Sequence, residues 1–438
     1  MLRRLLYSCS AGILILSSSL VHAAEPPVLR GDAILLMDAR TGQVLYQENG
    51  AARLYPASTT KLLTALVAVE RGDLDQVIRV SRDAVDKGPD SATCSISEGD
   101  EEPLEYLLYG LLLRSGNDCA DAIAEGVAGG DRQRFIAWMN ETARELGATD
   151  SRFANPHGLH DPDHYTTAAD LAVIARAALS NPVIARIAAT QSFDWPGKEQ
   201  NGTYYNLLND LLQSYPPFVA GKTGFTEEAG FTLAGLAEQG DRSLIGVTMG
   251  YESRAEEFED MRALFEFGFS EYHPVDAVAA GSVWGEVPVS DGESPSVPAL
   301  AAASFSVSAR ASEADAGVSL VPRLPEAVEA PVTAGQAIGV LEVMDGDSLL
   351  GTVPLVAGEA VAALAPAQAE GGRTGWQFAG IIARAVASVA GTLALAVLVL
   401  RTVVRAVRRR RRLGAHGRSR RTVGTRGVIS TYRTRTPH

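Results

Sequence analysis

Lysine is nearly missing from this 438-residue chain. Of its 39 basic residues only four are lysines, Lys61, Lys87, Lys198 and Lys222; the other 35 are arginines. A guanidinium stays protonated in proteins, whereas a buried or cation-flanked ammonium can lose its proton near neutral pH. A chain that writes arginine almost everywhere has kept a titratable amine at a few positions. Cysteine is as scarce, with three residues, and Cys9 falls inside an apolar leader. Removal of that leader leaves Cys94 and Cys119, which form one disulfide outside the cell or stay as two free thiols. Cys119, on an apolar helix, reads as a packed thiol rather than a catalytic one. Basic charge is lacking over most of the chain. Thirteen arginines lie in 401–438 and two in the leader, so 24 basic residues face all 52 acidic ones over 25–400, a formal charge of −28. Such a body excludes nucleic acid as a natural partner. It suits solubility in an extracytoplasmic compartment.

What is present divides the chain. Arg3 and Arg4, the apolar stretch from Leu5 to Leu20 and "VHA" ending at Ala23 predict a signal peptide over 1–23. The segment "AILLMDARTGQVLYQEN" (33–49) predicts two strands about a glycine-containing turn. "STTKLLTALVAVERG" after Pro56 predicts a buried helix, with Ser58 at its N-terminus and Lys61 one turn on, sharing a face. "LEYLLYGLLL" and "CADAIAEGVAG" predict helices either side of "RSGND", with more at 132–146 and 167–179. From Gly230, two apolar strands meet at Gly240-Asp241 as a hairpin, and 255–269 is an amphipathic helix. Strands at both ends of 25–270 with helices between them predict an α+β domain, an antiparallel sheet with a largely helical insertion. Residues 274–368 predict a separate small all-β domain, followed by a linker over 369–376.

Three short stretches carry chemistry: Ser58-Thr-Thr-Lys61, Ser115-Gly-Asn117 and Lys222-Thr-Gly224. Each alone is weak; all three in this order, in a chain so poor in lysine, are a strong signal. A lysine beside a hydroxyl can serve as its base, and a helix N-terminus can stabilise an oxyanion.

With these motifs, and with "LMDARTGQVLY", "PASTTKLLTALVA", "LLYGLLLRSGNDCADAIAE", "FANPHGLHDPDHYTTAADLA" and "GKTGFTEEAGFTLAG" in order, the chain resembles the low-molecular-mass penicillin-binding proteins, specifically the serine D-alanyl-D-alanine carboxypeptidases of the peptidase S11 type. The resemblance covers about 28–270, and 274–360 is similar to the family's β-rich C-terminal domain. It implies a β-lactamase/transpeptidase-like catalytic fold and no cofactor or metal. It implies Ser58 as nucleophile, Lys61 as its base in the field of Lys222, and Ser115 as proton relay to the leaving D-alanine. Asn117 holds Lys61 and the substrate amide, Lys222, Thr223, Gly224 and Phe225 bind substrate, and the N–H groups of Ser58 and Phe225 form the oxyanion hole. The implied partners are peptidoglycan stem peptides as substrate and β-lactams as covalent inhibitors. Lys87 and Lys198 receive no task.

One departure concerns the substrate's terminal carboxylate. The family often has an arginine where this chain has Glu257, and the nearest arginine is Arg254, one turn away. Carboxylate recognition then rests on Thr223, Thr226 and Lys222. His157, His160 and His164 crowd one loop, but Pro156, Gly158 and Pro162 deny them a helical face, so no zinc site is assigned. Rival functions are a D,D-endopeptidase, a β-lactamase, for which no deacylating carboxylate is identified, and a non-catalytic penicillin-binding sensor. Finally, 377–400 predicts a transmembrane helix. Residues 385–400 carry no charge, Arg384 sits near one end, and Arg401, Arg405 and Arg408 to Arg412 follow. That order places the body outside the cell and the basic tail, 401–438, in the cytoplasm.

Overall fold

In the computed structural model, residues 25–88, 91–196, 202–310 and 317–365 are described. The signal peptide, linker, transmembrane helix and basic tail predicted from the sequence lie outside them, as does Lys198. Among the described residues no single helix is long and apolar enough to cross a membrane.

The catalytic domain is built on five strands: β1 (Ala33–Asp38), β2 (Val44–Glu48), β3 (Phe218–Thr226), β4 (Gly230–Gln239) and β5 (Arg242–Tyr251). They lie in the order β2-β1-β5-β4-β3, every pair antiparallel. Strand β1 is buried along its whole length. Successive side chains point to opposite faces, so Ala33, Leu35 and Met37 enter one core and Ile34 and Leu36 another. The first core is shared with α1 (Lys61–Arg71), α2 (Leu104–Leu113), α3 (Asn117–Val127), α4 (Arg132–Glu145), α5 (Ala168–Ser180) and α6 (Pro182–Ala189). The second is closed by α7 (Arg254–Glu271) through Met261, Leu264 and Phe265. Ser253 caps α7, its Oγ accepting from Glu256 N at 3.3 Å. The β4–β5 hairpin turns at Gly240-Asp241, with Gly240 in the left-handed region at φ +66°.

Residues 272–363 build an all-β domain with its own core of Val278, Val287, Val297, Leu341, Val343 and Leu355. Its strands are β6 (Tyr272–Val278), β7 (Val283–Ser290), β8 (Ser296–Ala301), β9 (Phe305–Arg310), β10 (Ser319–Arg323), β11 (Val328–Glu329), β12 (Ala337–Asp345) and β13 (Ser348–Ala357). Strands β6 and β9 pair, and the rest form a sheet in the order β10-β12-β13-β8-β7-β11. The domain is joined to the catalytic body by Ser308, whose Oγ donates to Asp38 Oδ2 at 2.6 Å and whose N–H donates to Gln43 Oε1 at 3.0 Å. The α+β body and the small all-β domain are those expected from the sequence; β6 begins two residues earlier than the predicted boundary.

Candidate active site

Ser58 does not open an α-helix. It is the second residue of a 3-10 turn, Ala57–Thr60, and α1 begins only at Lys61. The expected helix N-terminus is thus a tighter turn, in which side chains three residues apart eclipse one another. That places Lys61 directly beside Ser58. The turn starts from Ala57 at φ +48°, unusual for a side-chain-bearing residue. It is gripped from two sides. A Cβ on Gly224 of β3 would lie 2.6 Å from Ser58 N, and one on Gly158 would lie 1.8 Å from Ala57 O. Only glycine permits either approach.

The Lys61 side chain is fully buried. Its Nζ has three polar neighbours: Asn117 Oδ1 at 2.7 Å, His157 O at 2.5 Å and Ser58 Oγ at 2.9 Å. The first two can only accept. The other end of the Asn117 amide is held by Ser91, its Nδ2 donating to Ser91 Oγ at 2.8 Å. A neutral amine has two N–H bonds and one lone pair. Here Nζ donates to all three neighbours, and Ser58 Oγ also reaches His157 O at 3.5 Å; on losing a proton the amine can keep its N–H bonds on the two carbonyls and accept from the Ser58 hydroxyl. Burial brings the Lys61 pKa down from 10.5 to about 7, against the negative field of Asp121. The field of Lys222, the cause expected from the sequence, is not what lowers it. Burial is the main cause, and Lys61 in turn lowers Lys222.

Ser115 and Asn117 stand between α2 and α3. Ser115 is buried at φ +63°, the second strained non-glycine residue at the site. Asn117 opens α3, and its N–H donates to Ala92 O at 2.8 Å. Behind them, Cys94 and Cys119 are free, buried thiols, so Cys119 is a packed residue. The Asp118 carboxylate accepts from Cys94 N and Cys119 N, which ties the 91–97 segment to this helix.

Strand β3 is an edge of the sheet. It carries Thr223, Gly224 and Phe225 into the lining of a cleft of about 210 Å³, with Ser58, Ser115 and Asn117 also lining it; Lys222 precedes them on the strand, buried. Its unpaired backbone can add an extended peptide as a further strand. Lys222 is 1 % exposed and donates to Thr223 O at 2.6 Å; burial, then Lys61, push its pKa well below the usual value. Of the eight expected site residues, Ser58, Ser115, Asn117, Thr223, Gly224 and Phe225 line the cleft, and Lys61 is hydrogen-bonded to Ser58 and Asn117 behind it. No carboxylate lines the cleft among the described residues.

Sequence reasoning missed three features. Arg254, at the start of α7, lines the cleft beside Thr226, whereas Glu257 is fully buried. The backbone carbonyl of His157 completes the Lys61 cradle, and no side-chain pattern announces a carbonyl. Beneath them lies a buried ionic cluster. Asp121, wholly inaccessible, meets Lys87 Nζ, with Arg132 Nε 3.4 Å and His157 Nε2 4.0 Å away. Burial raises the Asp121 pKa while Lys87 and Arg132 oppose it. Lys87 therefore has a task that its sequence context did not reveal, although the rarity of lysine was a signal. Burial and the nearby cations lower the His157 pKa to about 2. His164 accepts from Ala154 N at Nδ1 (3.2 Å), so Nε2 carries the proton and donates to Thr60 Oγ1 at 2.8 Å. His160 packs edge-on against Tyr55. The ring nitrogens of the three histidines turn to different neighbours.

Residues 20–253 match the D-alanyl-D-alanine carboxypeptidase family, Peptidase_S11, and residues 272–363 match the penicillin-binding protein 5 C-terminal domain. The chain is 32 % identical over 382 residues to the D-alanyl-D-alanine carboxypeptidase DacD of Salmonella typhimurium, covering 82 % of this chain and 95 % of that one. It is 28 % identical to DacF of Bacillus subtilis, covering 78 % and 87 % of the two chains. Among solved structures, penicillin binding protein 5 from Haemophilus influenzae superposes with a TM-score of 0.63 at 26 % identity, covering 77 % of this chain and 99 % of that one. Penicillin binding protein 6B from Escherichia coli gives 0.57 at 30 %, covering 76 % and 97 %. Motifs, fold and relatives agree, and the chain belongs to the peptidase S11 family of D-alanyl-D-alanine carboxypeptidases.

Proposed function

We propose that this enzyme is a serine D-alanyl-D-alanine carboxypeptidase acting on peptidoglycan stem pentapeptides through an acyl-Ser58 intermediate. The observation that carries the reading is the buried Lys61 amine, 2.9 Å from Ser58 Oγ and held by the carbonyls of Asn117 and His157. Substrate lies against β3 as an added strand. Ser58 Oγ attacks the carbonyl of the penultimate D-alanine and its proton passes to Lys61 Nζ. The oxyanion is held by the N–H groups of Ser58 and Phe225. The tetrahedral intermediate collapses, the C–N bond breaks, and the proton on Lys61 reaches the departing amine of D-alanine through the Ser115 hydroxyl, which takes one proton as it gives one. Lys61, neutral again, then activates water to hydrolyse the ester. The leaving D-alanine carries a carboxylate towards Thr223, Thr226, Lys222 and Arg254. A β-lactam would follow the first half of this path and stop as a stable ester, because no carboxylate among the described residues lines the cleft to drive deacylation.

The same reading places the body outside the cell membrane, anchored through 377–400, with the tail 401–438 in the cytoplasm. Its support is the order of signal-like leader, apolar stretch and arginine cluster in the sequence. Mass analysis after incubation with pentapeptide and with crosslinked dimer tests the activity. Tetrapeptide from pentapeptide, with the dimer intact, is the expected result. Cleaved dimer would favour an endopeptidase, and no product at all a penicillin-binding sensor.

A further inference from the structure

Behind the Lys61 amine stands a wholly buried carboxylate that takes no direct part in acyl transfer. Asp121 lies one helical turn after Asn117 on α3, on the same face. Lys87, Arg132 and His157 surround it. Its Oδ2 accepts from Lys87 Nζ. Its Oδ1 has no hydrogen-bond partner, and neither has Arg132 Nε, 3.4 Å away at the start of α4. The His157 ring is the third neighbour, with Nε2 4.0 Å from Asp121 Oδ2. His157 Nδ1 accepts from Leu159 N at 3.2 Å, so the ring proton sits on Nε2, the nitrogen beside the carboxylate. Asp121 therefore stands against the ring of the residue whose carbonyl accepts from Lys61. It also shares a helix with the residue whose amide oxygen does so. Asn117 is tied on its other sides as well, its Nδ2 donating to Ser91 Oγ and its N–H to Ala92 O, shortly after Lys87 in the chain. A buried ion pair is weak evidence for stability, because apolar residues of like volume often serve as well or better. Asp121 is not among the residues that line the cleft, so substrate does not touch it.

We propose that Asp121 is a positioning residue for the Lys61 base: by gathering Lys87, Arg132 and the His157 ring onto α3, it keeps the Asn117 and His157 oxygens on the amine. This inference rests on the reading of Lys61 as the base of Ser58. The amine presents its lone pair to Ser58 only while both oxygens hold its N–H bonds. A small drift of the His157 loop would release one of them, and small misplacements at a reacting group are costly. The charge of Asp121 acts in the same place. The titratable groups facing Lys61 are Asp118, Cys119 and Asp121 of α3, Cys94 of the 91–97 segment, Lys222 of β3, and His157 and His164 of the loop. Those facing Asp121 are Lys87, Arg132, Glu125 and His157. Burial raises the Asp121 carboxyl and the two cations oppose it; the Lys87 contact itself pairs an anion with a cation. After burial, which discharges Lys61, Asp121 is the largest influence, and it favours the charged amine. Without that carboxylate Lys61 gives up its proton at lower pH.

The test follows acylation of Ser58 by a chromogenic β-lactam between pH 5 and 9, together with kcat and KM for a stem pentapeptide. It uses the full chain and two variants. Asp121→Asn keeps the shape and removes the charge. Asp121→Leu/Lys87→Met replaces both members of the pair by apolar side chains of similar volume, an exchange that folds commonly tolerate, and its urea midpoint is measured beside that of the unaltered enzyme. In Asp121→Asn the acylation limb near pH 7 should move down by roughly one unit, the scale of a lost neighbouring charge. The rate above the limb should fall roughly 10-fold, part of the worth of a positioned base. The loss should appear in kcat, with KM held within about 2-fold, because substrate does not reach Asp121. The double variant should show the same two changes at an unaltered urea midpoint. A folded variant whose limb and rate both match the unaltered enzyme would overturn the proposal, as would a loss confined to KM or to the urea midpoint. Should Asp121→Asn fail to fold, the double variant decides. The two readings fail separately. A flat profile in the unaltered enzyme removes Lys61 as the base, whereas a limb near pH 7 that neither variant moves leaves the base in place and removes only the part given to Asp121.

Discussion

The amine of Lys61 and the hydroxyl of Ser58 face each other at 2.9 Å within a single tight turn. The 3-10 geometry sets that distance, and the Asn117 and His157 oxygens accept from the same amine. A guanidinium cannot reproduce this, since it has no lone pair to accept the proton. Lys61→Arg should lower acylation and turnover by roughly 10²–10⁴-fold, the usual worth of a positioned base. Lys222→Arg should fall less, because charge survives while geometry changes. Steady-state release of D-alanine checks both, and an active Lys61→Arg enzyme would refute the base role.

Acylation should depend on pH through Lys61. Its pKa is lowered to about 7, and the active form is the deprotonated one. The rate should therefore be full above pH 8 or so, fall as pH drops through about 7, and follow one proton. His157 cannot supply this limb, because burial keeps it neutral down to about pH 2. Stopped-flow acylation by a chromogenic β-lactam between pH 5 and 9 measures the limb. A flat profile over that range would contradict the assignment.

Lys87 bridges to Asp121, which is wholly buried, and its own side chain is 9 % exposed. Lys87→Ala leaves that carboxylate with Arg132 alone and should destabilise the fold by about 3–5 kcal/mol. Lys87→Arg, which sequence alone marks as near neutral, should instead cost about 1–3 kcal/mol, because the larger guanidinium must enter a packed site. Urea unfolding checks both; an unchanged midpoint in Lys87→Arg would restore the simpler view.

Penicillin should be consumed slowly and the acyl-enzyme should accumulate, since no carboxylate among the described residues lines the cleft. Loss of β-lactam absorbance should end after about one equivalent, apart from a slow drift. Rapid turnover of many equivalents would favour the β-lactamase alternative.

A tag after His438 should resist protease added outside wall-free cells while the catalytic body is digested, as a helix over 377–400 with cytoplasmic arginines requires. Extraction of the intact protein by alkaline carbonate would contradict a spanning anchor.

Much of this was legible in the sequence. The motifs named five of the residues that line the cleft, Ser58, Ser115, Asn117, Thr223 and Gly224, and the apolar run of β1 and the hairpin at Gly240-Asp241 announced the sheet. What stayed hidden depends on contacts far apart in the chain. The 3-10 turn at Ser58 is imposed by Gly158 and Gly224 pressing on it, not by local propensity. The placement of Arg254 at the cleft and of Glu257 behind it follows from where α7 docks on the sheet. The Lys87–Asp121 contact spans 34 positions, and neither residue alone differs from a surface charge.

The most direct measurement is the mass of the enzyme after brief exposure to penicillin, followed by peptide mapping of the adduct and by D-alanine release from a stem pentapeptide. One penicilloyl group on the peptide holding Ser58 is expected, with both the adduct and D-alanine release abolished in Ser58→Ala. An adduct on any other residue, or D-alanine release that persists in Ser58→Ala, would contradict the account.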